Sequence, residues 1–217
     1  MYKLRIFTRG CPLRMDIEVP KTAKRRMMAR ANQPSVDDNL DVVRSTMNKE
    51  ERYSHVIALA IYLCRFSPFL NHVPQGMNEK EGKFRLVWDG TTKLLEDDIV
   101  MNDITSTDGE PDITFGETKM KALSYLWNTR ISYPTDDIKM AYADIAACFR
   151  IPKIVPELTG AFGFMIPPMG LYFLATAMVF GSLVSAACWE PMRRAIEVMT
   201  TVYFASFPGD TSKHNDL

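Results

Sequence analysis

The stretch GLYFLATAMVFGSLVSAACW, Gly170 to Trp189, decides how this chain is read. It lies inside a longer run, Leu158 to Trp189, without one charged side chain. Two architectures tolerate such a run. The first is a membrane span: 20 residues are enough by length, and Arg193 and Arg194 follow as at a cytoplasmic boundary. The second is a buried hairpin entering a buried helix, where charges are too costly to desolvate. Gly170, Thr176, Gly181, Ser182 and Ser185 dilute the apolar density, and no second span is present. These features favour the hairpin and a mixed α and β fold, with no membrane partner.

The flanking sequence agrees with a folded core. Of 217 residues, 47% are hydrophobic and 24% charged, which excludes a disordered, collagenous or coiled-coil chain. The formal net charge of +0 gives no global pull toward nucleic acid. The charge is nonetheless uneven. Lys3, Arg5, Arg9, Arg14, Lys21, Lys24, Arg25, Arg26 and Arg30 face only Asp16 and Glu18 in the first thirty residues. Pro12, Pro20 and Pro34 interrupt that segment, so residues 1–35 read as a basic, irregular arm. It suits phosphate binding or simple solvation. The cysteines Cys11, Cys64, Cys148 and Cys188 and the histidines His55, His72 and His214 lack zinc-site spacing. Reduced cysteines and an intracellular location, cytoplasm or nucleus, are the expectation.

Periodicity supplies the elements. Val36, Leu40, Val43 and Met47 share a helical face, and a second helix is expected from Lys49 to Phe66 with Tyr53, Val56, Ile57, Ala60, Ile61 and Cys64 inward. Turn signals at Pro74, Gly76 and Gly82 precede an alternating run, Phe84 to Trp88, that reads as a strand. Residues 96–113 are acidic and loop-like, a solvated face or a metal-binding cluster without calcium-loop spacing. A helix over 115–130 puts Met120, Leu123 and Trp127 together. A strand near Met140 to Phe149 ends before Pro152, and a helical pattern runs from Arg193 to about Phe204.

Three segments in this order resemble the reverse transcriptase family. GKFRLVWD, Gly82 to Asp89, resembles its fingers strand. ADIAACF, Ala143 to Phe149, resembles the palm strand with the first catalytic aspartate. Gly170-Leu171-Tyr172 leading to FGSLVSAACWE, Phe180 to Glu190, resembles the palm hairpin and helix. The likeness covers roughly residues 71–200 and extends to retrotransposon polyproteins of unicellular eukaryotes and algae.

The resemblance implies the α+β fingers and palm of a right-hand polymerase, with an incomplete antiparallel palm sheet and packed helices. Residues 36–135 would be a helical, fingers-like region and 136–217 a partial palm-like region. The strand ending at Phe149 and the hairpin of 161–174 would be sheet neighbours. It also implies nucleotidyl transfer from deoxynucleotides on an RNA or DNA primer–template, with Mg²⁺ or Mn²⁺ held by Asp144 and the Ile145 carbonyl. Lys83 and Arg85 would grip the triphosphate from the cleft that holds Asp144 and Phe149. Phe149 would exclude a 2′-hydroxyl, and Gly181 would let backbone approach the nucleic acid.

Departures weigh against catalysis by this chain alone. Ala147 stands where the family often has a further Asp, Val184 replaces an Asn, and Glu190 replaces a Gln beside the nucleic acid. No aromatic-x-Asp-Asp motif follows Glu190. The alternatives are a single-pass membrane protein with its span near 170–189 and a non-catalytic nucleic-acid-binding module. The sequence leaves the oligomeric state open.

Overall fold

A computed structural model describes residues 10–11, 14–15, 19–64, 70–93, 95–106, 115–138, 145 and 147–206. The fold is α+β with small antiparallel sheets. The uncharged run builds its centre. Strands β6 (Phe164–Ile166) and β7 (Leu171–Ala175) form a hairpin, with Phe164 opposite Phe173 and Ile166 opposite Leu171. The connection is a 3-10 turn at Pro167–Met169, closed by Gly170 at φ +66°. Glycine alone takes that conformation without a steric penalty. The hairpin buries Phe162, Phe164, Ile166, Tyr172 and Phe173 almost completely. After Ala175 the chain loops, then enters helix α7 (Ser185–Ser206), which contains Pro191. Gly170–Trp189 is therefore strand, loop and first helical turn, not one span. Among the described residues no helix is long and apolar enough to cross a membrane.

The third strand of this sheet is β2 (Val56–Ala60), antiparallel to β7 from Val56 opposite Ala175 to Ala60 opposite Leu171. This corrects the expected helix from Lys49 to Phe66. Helix α3 (Leu40–Arg52) ends because Ser54 turns left-handed at φ +54°, with its amide on the Glu51 carbonyl. The chain then runs into pairing with β7 and keeps only one short turn, α4 (Ile61–Cys64). Val56 and Cys64 are buried as expected, but Tyr53 and Ile57 are exposed, because a strand does not carry the helical stripe.

Of the expected stripe, Val36, Val43 and Met47 are fully buried and Leu40 partly so, on α3 and the preceding turn α2 (Pro34–Asp37). Residues 71–95 form a second sheet. Strand β3 (Gln75–Lys80) pairs with β4 (Lys83–Trp88) through a two-residue turn, Glu81-Gly82, at φ +55° and +73°. Positive φ at both positions is the turn geometry whose twist suits a hairpin. The expected strand is thus present, and β3 is its unforeseen partner.

Two expectations for the termini of the fold change. Within the arm read as irregular, Lys21–Ala29 is helix α1, which buries Ala23 and Met27 one turn apart. Its Arg26 and the following Arg30 are bound by Asp97 and Asp98, so part of the acidic stretch is a partner of the arm rather than a solvated face. The nearby short elements are β1 (Arg14–Met15), paired with β5 (Thr105–Ser106), and helix α5 (Met101–Ile104). Helix α6 (Phe115–Ser132) forms as expected, yet Met120, Leu123 and Trp127 face outward. The strand expected from Met140 to Phe149 lies mostly outside the described residues. Its end does not reach Phe149, since Cys148–Arg150 is a 3-10 turn. The described strand flanking the β6–β7 hairpin is β2.

Cys11 and Cys188 are paired, with α carbons 6.3 Å apart, so the expectation of four reduced cysteines is corrected there. Cys64 and Cys148 are not in disulfides. One hydrophobic core joins Leu86 and Trp88 of the first segment with Val184 and Cys188 of the third, and the partly buried Cys148 and Phe149 of the second pack against it.

Candidate nucleotide site

The site residues are best built outward from Trp88, at the end of β4. Its ring is buried and meets Phe164 edge-on at 5.1 Å. The guanidinium carbon of Arg150 lies 4.7 Å from the Trp88 ring centroid. Arg150 is buried too. It donates from Nη1 to the Met178 carbonyl (3.1 Å) and from Nη2 to Glu50 Oε2. Burial pulls the Arg150 pKa below its ordinary value, and the Glu50 carboxylate opposes that pull. Glu50 also contacts His55 Nδ1 at 3.2 Å. Burial lowers the His55 pKa, against the raising effect of Glu50. The cluster is thus a charge-neutralising clamp between α3, the 148–150 turn and the loop at Met178.

The turn that delivers Arg150 begins at Ala147, which is left-handed at φ +52°. Such a conformation is costly for a residue with a Cβ. Phe149, one residue before Arg150, packs edge-on against Phe180 at 5.3 Å. Gly181 follows at φ +93°, and a Cβ there would lie 2.2 Å from the Trp88 carbonyl oxygen. The close approach that the glycine permits is therefore with β4. Asn102 braces the same loop. Its Nδ2 donates to the Gly181 carbonyl (3.1 Å), and its Oδ1 accepts from the Leu183 amide (2.9 Å).

Of the residues singled out from the sequence, Phe149 and Gly181 come together around Phe180 and Trp88. Lys83 and Arg85 are exposed on β4. The two-residue alternation of the strand puts them on the face opposite Leu86 and Trp88. On that face Lys83 stands across from Lys80, and Arg85 across from Asn78. Asp144 lies outside the described residues, and Ile145 sits in an exposed coil. Among the described residues, no group of three or more His, Cys, Asp or Glu could hold a metal ion.

Asp89, directly after β4, accepts from the Thr91 and Thr92 amides and from Gln33 Nε2. Burial pushes its pKa up, but these hydrogen bonds hold it below the ordinary value. Glu190 departs from the expectation of a negative charge facing nucleic acid. It is buried, and its carboxylate accepts from Arg193 Nε (2.7 Å), Arg193 Nη2 (2.9 Å) and Arg194 Nε (2.6 Å). The Arg193 hydrogen bonds, helped by Arg194, hold its pKa at about 2 against desolvation. Its charge is satisfied within α7.

Arg150 and Asn102 were not foreseen. Arg150 left one sequence signal, a lone charge beside Cys148-Phe149 and Ile151-Pro152. Asn102 left none, since its partners lie about eighty residues away. No protein-family model matches this chain, and no curated protein matches it.

Proposed function

We propose that this chain is of the reverse transcriptase type, akin to a retroelement RNA-directed DNA polymerase, and does not extend a primer by itself. The observation that supports this reading is a convergence. Segments matched to three separate polymerase motifs meet at one place: Trp88 from the first, Phe149 at the end of the second, and Phe180 and Gly181 from the third. Arg150, next to Phe149, stacks on Trp88. Residues as far apart as 88 and 181 have no local reason to share a contact.

In this reading a triphosphate is met by the fixed positive charge of Lys83 and Arg85, on the face of β4 turned away from Trp88. Asp144 and the Ile145 carbonyl would hold a divalent cation, Mg²⁺ or Mn²⁺, which would supply activation of a 3′-hydroxyl and stabilisation of pyrophosphate. A pair of ions about 3.5–4 Å apart needs more than one carboxylate. Ala147 supplies none, and Glu190 is committed to Arg193 and Arg194.

The test uses the purified 217-residue chain with primer–template, deoxynucleotides and magnesium or manganese. Two outcomes are expected. No extension product rises above background, and a fluorescent deoxynucleoside triphosphate binds at low salt, about tenfold more weakly in the double variant Lys83→Ala/Arg85→Ala. Extension abolished by Asp144→Ala would show a second carboxylate source and overturn the inactivity. Triphosphate binding that is absent, or indifferent to the double variant, would overturn the family reading.

A further inference from the structure

We propose that the outward face of α6 is the interface of a weak, two-fold homodimer. This inference is independent of the polymerase reading. Met120, Leu123, Trp127 and Ile131 are 63%, 51%, 68% and 63% exposed. At 3.6 residues per turn they fall within roughly 80° of arc, so they form one continuous apolar ridge. Beside the ridge is a shallow groove of about 390 Å³, lined by Leu123, Leu126, Trp127, Arg130 and Ile138. Arg130 stands exposed at the rim of the groove. Its Nη1 turns back to the Pro134 and Asp136 carbonyls at 3.2 and 3.1 Å and closes the end of the helix.

Ridge and groove on one patch are self-complementary. A two-fold axis across α6 seats the ridge of each copy in the groove of the other, the arrangement an isologous contact requires. Antiparallel helices also oppose their dipoles favourably. Exposed aromatic and aliphatic side chains of this size lose on the order of 100 Å² each when covered. Four ridge residues and the groove wall then remove roughly 500 Å² per copy, about 1,000 Å² in total, at the low end for a specific interface. The dimer is accordingly weak, in the micromolar range.

Sedimentation velocity on the full chain from about 1 to about 300 μM reads this directly. The weight-average mass should rise from 24.7 kDa toward twice that value. Leu123→Glu and Trp127→Glu should each weaken association at least tenfold. Tyr62→Glu, at a side chain 67% exposed on α4, should leave it unchanged. Circular dichroism checks that helix content is kept, and Met120→Lys replaces any variant that loses it. A chain monomeric at every concentration, a dimer indifferent to the α6 variants, or equal weakening by Tyr62→Glu would overturn the proposal.

Discussion

His72 is held neutral by its surroundings, and that makes acid its weak point. The Met165 amide donates to Nδ1 (3.0 Å), and Nε2 donates to the Arg30 carbonyl (3.0 Å). A second ring proton would meet the Met165 amide head-on. Burial first, and the nearby Arg30 charge after it, lower the pKa from 6.5 to about 4 despite the hydrogen bond to the Arg30 carbonyl. The folded form thus binds this proton less readily than the unfolded form. Stability is fully present above pH 6.5 and is lost as pH falls toward 4, by up to about 3 kcal/mol. Glu190 acts in a lower window, between its ordinary value of 4.5 and about 2. Urea unfolding at pH 7.5 and pH 5 should show a drop of about 2 kcal/mol that His72→Gln largely abolishes. Equal drops in both proteins would remove His72 as the cause. Sequence reading saw only an isolated histidine, because its partners are 42 and 93 residues away.

Elements were legible where one period dominated. Phe84 to Trp88 alternates, and β4 follows it; Val43 and Met47 repeat at one turn, and α3 buries them. Val56-Ile57-Ala58-Leu59-Ala60 has no polar beat, so its apolar positions also satisfied a helix. The choice is made by Ser54 at positive φ and by β7, whose Leu174 stands opposite Ile57 across the ladder. Gly82 announced a turn, but the register that makes β3 its partner was not visible. That turn is improvable. Glu81 adopts φ +55°, a conformation asparagine tolerates better, and it follows Lys80, which already faces Lys83 across the ladder. Glu81→Asn should stabilise the protein by about 0.5 kcal/mol, and Gly82→Ala should cost about 1 kcal/mol. Denaturant midpoints of the two variants should move in opposite directions. Both moving down would mean that the Glu81 side chain contributes more than its backbone strain costs.

At the scale of the whole molecule, fixed charges tie distant segments to one core. The Glu50–Arg150 contact crosses 100 residues, and the Arg30–Asp98 contact crosses 68. Composition showed a basic arm and an acidic stretch, but not that they neutralise each other; charge runs carry no address. The candidate site shares this limit. Its segments could be singled out one by one, while the clamp through Arg150 depends on where Glu50 ends up. Asp98 offers the clearest test of such ties. Its carboxylate accepts from Arg26 Nε and Arg30 Nη2, both at 2.9 Å, and from the Leu95 amide at 3.1 Å. Asp98 and Arg30 side chains are each 6% exposed, whereas Asp97, paired with Arg26, is 72% exposed. Removing one partner of a buried pair leaves an uncompensated charge, so Asp98→Ala should cost about 3–5 kcal/mol. Asp97→Ala should cost less than about 1 kcal/mol, because water screens that pair. In the double variant Asp98→Leu/Arg30→Met both charges are gone, and apolar side chains of similar length replace them. Its stability should therefore recover most of what Asp98→Ala loses. A double variant as unstable as Asp98→Ala would mean that the shape of the pair, or the Arg30 bond to the Thr92 carbonyl (2.9 Å), holds the arm rather than charge compensation.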